Sequence, residues 1–263
     1  MTTNLNWESE KVRLLNMSLE DRRKRFEKND YITLDTIQSW RIYSIKHKNL
    51  EAKKPTLDDL NEFKKITLNQ ALSKQLLEKV AIYTGDITKL EVDAIVNAAN
   101  SLLKKGGGVD GAIHRAAGPM LQQECNTLGG CPTGQAKITG GYNLPAKYVI
   151  HTVGPQDGSE TKLQECYENS FACMEKHDLK SIAFPCISTG IYGFPNRLAA
   201  HIALRTARKF LEKHEHKREV ERMEKIIFCT FMPIDVDIYE TLIQMYFPSH
   251  EWNYNDGASV TEQ

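Results

Sequence analysis

From residue 80 onward the chain alternates between short apolar runs and longer amphipathic stretches, and this alternation limits what it can fold into more than any other feature. Runs at 80–84, 94–96, 136–141, 148–153, 181–184 and 225–232 are of strand length and are bounded by glycine, proline or polar clusters. Between and after them, 119–128, 161–177, 198–214 and 236–247 follow a helical spacing; in 161–177, Leu163, Cys166, Tyr167, Ser170 and Met174 share one side. Strands that alternate with helices predict an α/β sheet covered on both faces. In such a sheet, ligands bind in loops beyond the carboxyl ends of the strands. Three of these loops are chemically rich, 85–88, 97–110 and 188–194, and their convergence predicts a single crevice.

The second loop concentrates the chemistry. The 94–96 run leads into Asn97 and Asn100, then three glycines (Gly106, Gly107 and Gly108), then Asp110, Gly111 and His114 on the first turns of a helix. Glycines ahead of a helix let the backbone approach a ligand closely, and the N–H groups there favour an anion. Asp110 and His114 are four residues apart, so on a helix they share one face, toward whatever the loop cradles. The combination points to a nucleotide-like site; spacing alone leaves a plain turn and a solvated helix face as the alternative. Gly106, Gly108 and Gly111 spell the G-x-G-x-x-G dinucleotide fingerprint. Residues 97–105 separate them from the strand, however, and no strand ending in Asp or Glu arrives about 20 residues later, as ribose recognition requires. A P-loop fails as well, since no Lys-Ser or Lys-Thr follows the glycines. Ser188 lacks a G-x-S-x-G elbow, which argues against a serine nucleophile.

Residues 1–78 read differently, as a polar helical extension ahead of a domain at 79–247 and a flexible tail at 248–263. Trp7, Leu14 and Leu15 form an apolar stripe, and Ser18-x-x-Asp21 resembles a capping box opening a second helix. The basic run Arg22 to Arg25 is expected to be the solvated face of that helix rather than a nuclear signal. A third segment, 36–45, carries Ile37, Trp40 and Ile45 at helical spacing, and the charged, proline-terminated stretch 46–55 is the linker candidate. Thr56-x-x-Asp59 opens another helix with Leu57, Leu60 and Phe63 as its apolar side. Because every candidate site residue follows Gly85, residues 79–247 are expected to bind ligand without the extension.

Charge and cysteine usage narrow the partners. The 34 Lys/Arg residues balance 34 Asp/Glu, which leaves no basic face for nucleic acid. No run approaches the roughly 20 apolar residues of a membrane span. Six scattered cysteines without C-x-x-C pairs, and no secretory apolar region, point to reduced thiols in the cytoplasm, the nucleus or both. Glu8 and Glu10 argue against an acid-poor mitochondrial presequence. Eight histidines show no metal-ligand spacing, so neither a metal nor a cofactor is expected.

Taken together, the loops resemble the macrodomain family of ADP-ribose-binding modules. GDIT at 85–88, VNAAN at 96–100, GGGVDGAIHRAAGP at 106–119 and ISTGIYGFP at 187–195 are similar to its MacroD-type branch, as is NWESEKVRLLNMSLEDRR at 6–23. The resemblance spans roughly residues 6–247, with no matching pattern between Lys46 and Lys79. It implies a three-layer α/β/α fold with a mixed central sheet. It also implies a metal-independent hydrolase that removes mono-ADP-ribose from acidic side chains of proteins and deacetylates O-acetyl-ADP-ribose. A non-catalytic reader and an ADP-ribose 1″-phosphate phosphatase are the alternatives.

Residue by residue, the resemblance implies adenine recognition by the Asp86 carboxylate, the Ile87 amide and Phe231 on the last strand. It implies one phosphate in the amides of Gly106, Gly107, Gly108 and Val109, and the other in those of Ser188, Thr189, Gly190, Ile191 and Tyr192. Asn97 joins the ligand-binding set, and Asn100 bonds the distal ribose. Asp110 stands at the scissile ester, where it holds or deprotonates a water, and His114 orients Asp110 or the ribose hydroxyls. Tyr192 is expected to cap that ribose.

Overall fold

A computed structural model of the chain describes residues 6–26, 30–213 and 223–249. Most of the tail expected at 248–263 lies outside these residues, as does the last residue expected of the helix at 198–214. In chain order the elements are helices α1 (Trp7–Leu15) and α2 (Leu19–Arg23), strand β1 (Ile32–Thr33), helices α3 (Trp40–Lys46), α4 (Leu57–Phe63) and α5 (Ser73–Leu76), and strands β2 (Val80–Thr84), β3 (Leu90–Glu91) and β4 (Ala94–Ala98). Then follow α6 (Gly108–Ala117), α7 (Pro119–Thr127), β5 (Ala136–Gly140), β6 (Tyr148–Thr152), α8 (Glu160–Lys176), β7 (Ser181–Phe184), α9 (Asn196–Lys213), β8 (Lys225–Thr230) and α10 (Pro233–Tyr246).

The central sheet has the order β2-β8-β7-β4-β6-β5. Only the β5–β6 pair is antiparallel among its described pairs, so the sheet is mixed, as the resemblance implies. Its two faces follow from strand alternation, because successive side chains point to opposite sides. Ala81, Ile95, Val149, Ala183 and Ile227 pack with Leu14, Ile113, Leu121 and Cys125, under α1, α6 and α7. Their neighbours Val80, Ile82, Val96, Ile150, Phe184 and Phe228 pack with residues of α8, α9 and α10 on the other face. This is a three-layer α/β/α arrangement. Among the described residues no helix is long and apolar enough to cross a membrane, and all six cysteines are free.

The described residues before Lys79 are divided between the two outer layers. Asn6 and Ser18 cap α1 and α2, each side chain accepting the N–H three residues on. The run Arg22 to Arg25 departs from expectation in its three arginines, which form a docking strip, while Lys24 stays exposed and pairs with Glu20 and Asp21. Arg22 is buried and donates to the Pro145 carbonyl, Arg23 pairs with Glu91, and Arg25 donates to the Tyr142 carbonyl and to Asn143. Three basic residues thus find partners that lie far away in sequence.

Residues 40–77 enter the opposite core. Trp40 is fully buried, and its indole N–H donates to the Phe247 carbonyl at 2.8 Å. Leu50, Leu72, Leu76 and Leu77 join the same cluster. The expected linker at 46–55 is therefore a packed segment, with Leu50 inside and Lys53 paired to Asp237 and Glu240. The apolar side of α4 is only partly as expected, because Leu57 is exposed whereas Asp59 is 1% exposed. Asp59 closes the capping box with Thr56 and also accepts from Arg197 (2.5 and 2.7 Å) and His201 (2.9 Å) at the start of α9. Burial works against its charge, but the bonds from His201 and Arg197 outweigh it and hold the carboxyl far below the usual range. Buried Arg208 similarly ties Asn69 and Ser73 to the Tyr246 carbonyl. The boundary expected at residue 79 falls inside one continuous core.

Candidate active site

The carboxyl ends of β2, β4, β7 and β8 open into one cleft of about 680 Å³. The three loops singled out in the sequence line it. From the first come Asp86 and Ile87, from the second Asn100, Gly106, Gly107, Gly108, Val109 and Asp110, and from the third Ser188, Thr189, Gly190, Ile191 and Tyr192. Phe231 lines it too, although it lies one residue beyond the end of β8 and is 73% exposed, so it is a rim aromatic and not a strand residue. Asn97 and His114 are not on the wall. Both are buried behind Asp110, so the expected ligand contact of Asn97 is replaced by a supporting position.

Each loop has a local reason for its shape. Asp86 caps the turn after β2 by accepting from the Thr88 N–H (2.9 Å) and hydroxyl (2.7 Å). The Asn100 amide clamps the start of the glycine loop, donating to the Lys104 carbonyl and accepting its N–H. No side chain caps α6, whose N-terminal residues follow Gly107, so its first-turn amides face the cleft without a protein acceptor from a capping side chain. Gly111 is required by packing: a Cβ there would stand 2.5 Å from the Gly106 carbonyl oxygen. Across the cleft, Ser188 adopts φ +65°, a left-handed conformation rare for a non-glycine residue, and its hydroxyl is buried without a partner. The two loops nearly meet, since Ile191, 84% exposed, places its Cδ1 3.6 Å from where a Gly107 Cβ would be.

Asp110 is the chemical centre. It is only 5% exposed, yet lines the cleft. Its Oδ2 accepts the Gly106 N–H at 2.5 Å, and its Oδ1 accepts from Asn97 Nδ2 at 2.7 Å. The helical spacing brings His114 beside it as expected, but Nε2 sits 3.5 Å from Oδ1 and makes no hydrogen bond. Burial pushes His114 below the usual imidazole value, with Asp110 pulling the other way. Two cysteines also line the cleft, and burial keeps both as thiols: Cys186 lies well above its ordinary value and Cys229 is pushed up to about 12. Neither is a ready nucleophile.

Sequence reasoning missed Gly154, Cys229, Asp235 and Arg115 on the wall, and His151 behind it. Gly154 carried a signal, the Gly-Pro at the end of β6, and Arg115 lies within the 106–119 motif; Cys229, Asp235 and His151 had none at the level of motif. His151 is fully buried, and burial lowers it to about 3, with His114 adding to the effect. Its folded value lies below the free value of 6.5, so its contribution to stability is complete above pH 6.5 and is lost as pH falls toward 3. Urea unfolding between pH 7 and 4 is therefore expected to show stability falling with acidity, at up to about 1.4 kcal/mol per pH unit for this one proton. A flat profile over that window would show that His151 accepts its proton without unfolding.

Comparison with known proteins agrees with this geometry. The family model for the macro domain matches residues 96–203. ADP-ribose glycohydrolase MACROD2 of Mus musculus is 48% identical over 262 residues, covering 97% of this chain and 52% of its own length, so the chain spans about half of that relative. ADP-ribose glycohydrolase MACROD1 of Rattus norvegicus is 44% identical over 254 residues, covering 94% of this chain and 91% of its own length. Among solved structures, the Trypanosoma brucei macrodomain in complex with ADP-ribose superposes with a TM-score of 0.68 at 33% identity, covering 92% of each chain. By fold, by the order of its three loops and by these likenesses, the chain belongs to the macro domain family.

Proposed function

We propose that the cleft binds ADP-ribose and that the protein is a hydrolase, releasing mono-ADP-ribose from acidic side chains of proteins and the acetyl group from O-acetyl-ADP-ribose. The observation that carries this reading is the placement of Asp110. A buried carboxylate beside an amide cradle repels the diphosphate that the cradle would hold, which is a liability in a module that only binds. It becomes useful if it orients a water. Oδ1 is occupied from behind by Asn97, while Oδ2 accepts a single N–H from Gly106 and keeps a lone pair for that water. As the water attacks the ester, Asp110 takes its proton and returns it to the departing oxygen, so one water is consumed and two hydroxyl-bearing products form. No covalent intermediate is required. Asp86, Ile87 and Phe231 serve the adenine, the two loops serve the diphosphate through backbone amides, and Asn100 with Tyr192 serves the distal ribose. The relatives named ADP-ribose glycohydrolases and the ADP-ribose complex of the structural neighbour support the reading.

Product analysis separates it from its rivals. Offered a glutamate-linked ADP-ribosyl protein, O-acetyl-ADP-ribose and ADP-ribose 1″-phosphate, the protein is expected to release free ADP-ribose from the first two. Inorganic phosphate as the main product would favour a phosphatase, and tight binding without turnover a reader.

Gly154 gives a test of the cradle. A Cβ there would overlap Ser188 Oγ and stand 2.9 Å from Ile187 Cγ2, so Gly154→Ala must displace the loop at 188–192. Overpacking of this kind costs about 1–3 kcal/mol. Carried by the loop, that is a loss of ADP-ribose affinity of roughly ten- to a hundredfold by calorimetry. Unchanged affinity would show that the loop does not hold the diphosphate.

A further inference from the structure

On the sheet face covered by α6 and α7, β4 presents Ile95, Asn97 and Ala99 in line with its extension, and β6 presents Val149, His151 and Val153. Asn97 and His151 are register partners on adjacent parallel strands and are both 0% exposed. They interrupt an otherwise apolar stripe. A buried polar pair stabilises a fold no better than well-packed apolar residues of similar volume, so stability alone does not account for it.

We propose that His151 is a positioning residue for hydrolysis: acting through the Asn97 amide, it fixes the orientation of the Asp110 carboxylate. The proposal rests on the hydrolase reading. The bonds form one line running away from the cleft. Asn97 Nδ2 lies 2.7 Å from Asp110 Oδ1 and 3.1 Å from His151 Nδ1, and His151 Nε2 lies 2.9 Å from Thr139 Oγ1. With the Asn97 amide hydrogens turned toward the Asp110 carboxylate, one assignment of protons follows, and Cys125 Sγ, 3.8 Å from the same Nε2, adds only a weak contact. The Thr139 hydroxyl donates to a strand carbonyl, Gly140 at 3.2 Å or Val149 at 3.5 Å, and accepts from His151 Nε2–H. Nδ1 is then a lone-pair acceptor, and the two hydrogens of Asn97 Nδ2 go one to His151 and one to Asp110. Rotating the Asn97 amide by half a turn would set its oxygen against both a carboxylate and a ring lone pair, so the amide is locked. Burial keeps the ring neutral, which preserves the acceptor.

His151 therefore reaches the chemistry without touching the ligand. Its ring selects the Asn97 orientation, Asn97 holds Oδ1, and Oδ2 is left to face the cleft beside the Gly106 amide. A second imidazole, His114, lies close, its ring centroid 6.3 Å from that of His151, but its Nε2 bonds to nothing and supplies no such lock.

The test compares His151→Leu, which removes the acceptor, with His151→Asn, whose side-chain oxygen can stand near the position of Nδ1. Turnover of a mono-ADP-ribosylated protein, calorimetric ADP-ribose affinity and thermal melting are measured for both and for the unaltered chain. His151→Leu is expected to lower kcat by about 10–100-fold, the size of effect seen when an outer hydrogen-bond partner that orients an active group is lost. ADP-ribose affinity should be nearly unchanged, and His151→Asn should recover most of the turnover. Nitrogen chemical shifts of the unaltered ring should report the Nε2–H tautomer from about pH 5 to 9. Full kcat in His151→Leu overturns the proposal while leaving the hydrolase intact. Loss of turnover in step with melting temperature, without rescue by Asn, reduces His151 to a packing residue and also overturns it. If the unaltered chain binds ADP-ribose but releases none, the hydrolase reading fails and the proposal with it.

Discussion

Asp110→Ala is expected to lower hydrolysis by about 10²–10⁴-fold, the range for loss of a general base, while ADP-ribose affinity changes little. The separation follows from where the contacts lie. The substitution removes the carboxylate that accepts from Gly106 and Asn97, but leaves Asp86, the α6 amides and the loop at 188–192 in place. It also removes a negative charge beside the proposed diphosphate cradle, which offsets part of any loss from the freed Gly106 amide. Asp110→Asn provides the companion measurement, since it preserves shape and removes the base. Comparable losses of kcat in both, with Kd from calorimetry nearly constant, would assign the effect to water activation. A parallel loss of affinity would instead make Asp110 a scaffold for the glycine loop.

The largest effect on stability is expected at Trp40. It is fully buried, contacts a core built mainly from residues after position 79, and donates its indole N–H to the Phe247 carbonyl 207 residues away. Trp40→Ala should cost about 3–5 kcal/mol, against a total stability of roughly 5–15 kcal/mol for a typical domain. In a chain of this size that lowers the melting temperature by on the order of 10 °C. Starting the chain at Lys79 removes more: Leu50, Leu72, Leu76 and Leu77 leave the core, and Asp59 no longer answers Arg197 and His201. Such a chain is expected to lack a cooperative melting transition. This reverses the expectation that residues 79–247 bind ligand by themselves. A chain starting at Asp30 loses only α1 and α2, and it should still fold and bind. Cooperative unfolding of the Lys79 chain would show that the extension packs on a domain already complete.

The difference between these two outcomes reflects what a sequence carries locally. Strand–helix alternation fixed six strands to within two residues of their ends, and the glycine loop, Asn100 and Asp110 stood out because their chemistry lies within one short stretch. Buried charges did not stand out. The run Arg22 to Arg25 read as solvent-facing, Asp59 read only as the opening of a helix and Arg208 carried no mark, because their partners lie far along the chain: Asp59 meets Arg197 138 residues on, and Arg22 meets Pro145 123 residues on. A charge is legible as buried only once its partner is known. Asn97 stood out as a ligand contact, but its supporting position did not, and His151 did not stand out at all. They lie in or directly after apolar runs, where periodicity announces burial and says nothing of which neighbouring strand supplies the partner. Phe231 was misplaced because an apolar run gives no mark of where pairing stops, and β8 ends at Thr230.

The proposed function stands on one step, hydrolysis of an ADP-ribosyl ester in this cleft by a water held by Asp110. The most direct measurement is a single-turnover time course in which excess protein is mixed with a substrate mono-ADP-ribosylated on glutamate and both products are weighed by mass spectrometry. Free ADP-ribose and the unmodified glutamate are expected to appear together at equal rates, with Asp110→Ala leaving the substrate bound and intact. Substrate that stays modified on the unaltered protein despite saturating binding, or equal release by Asp110→Ala, would contradict it.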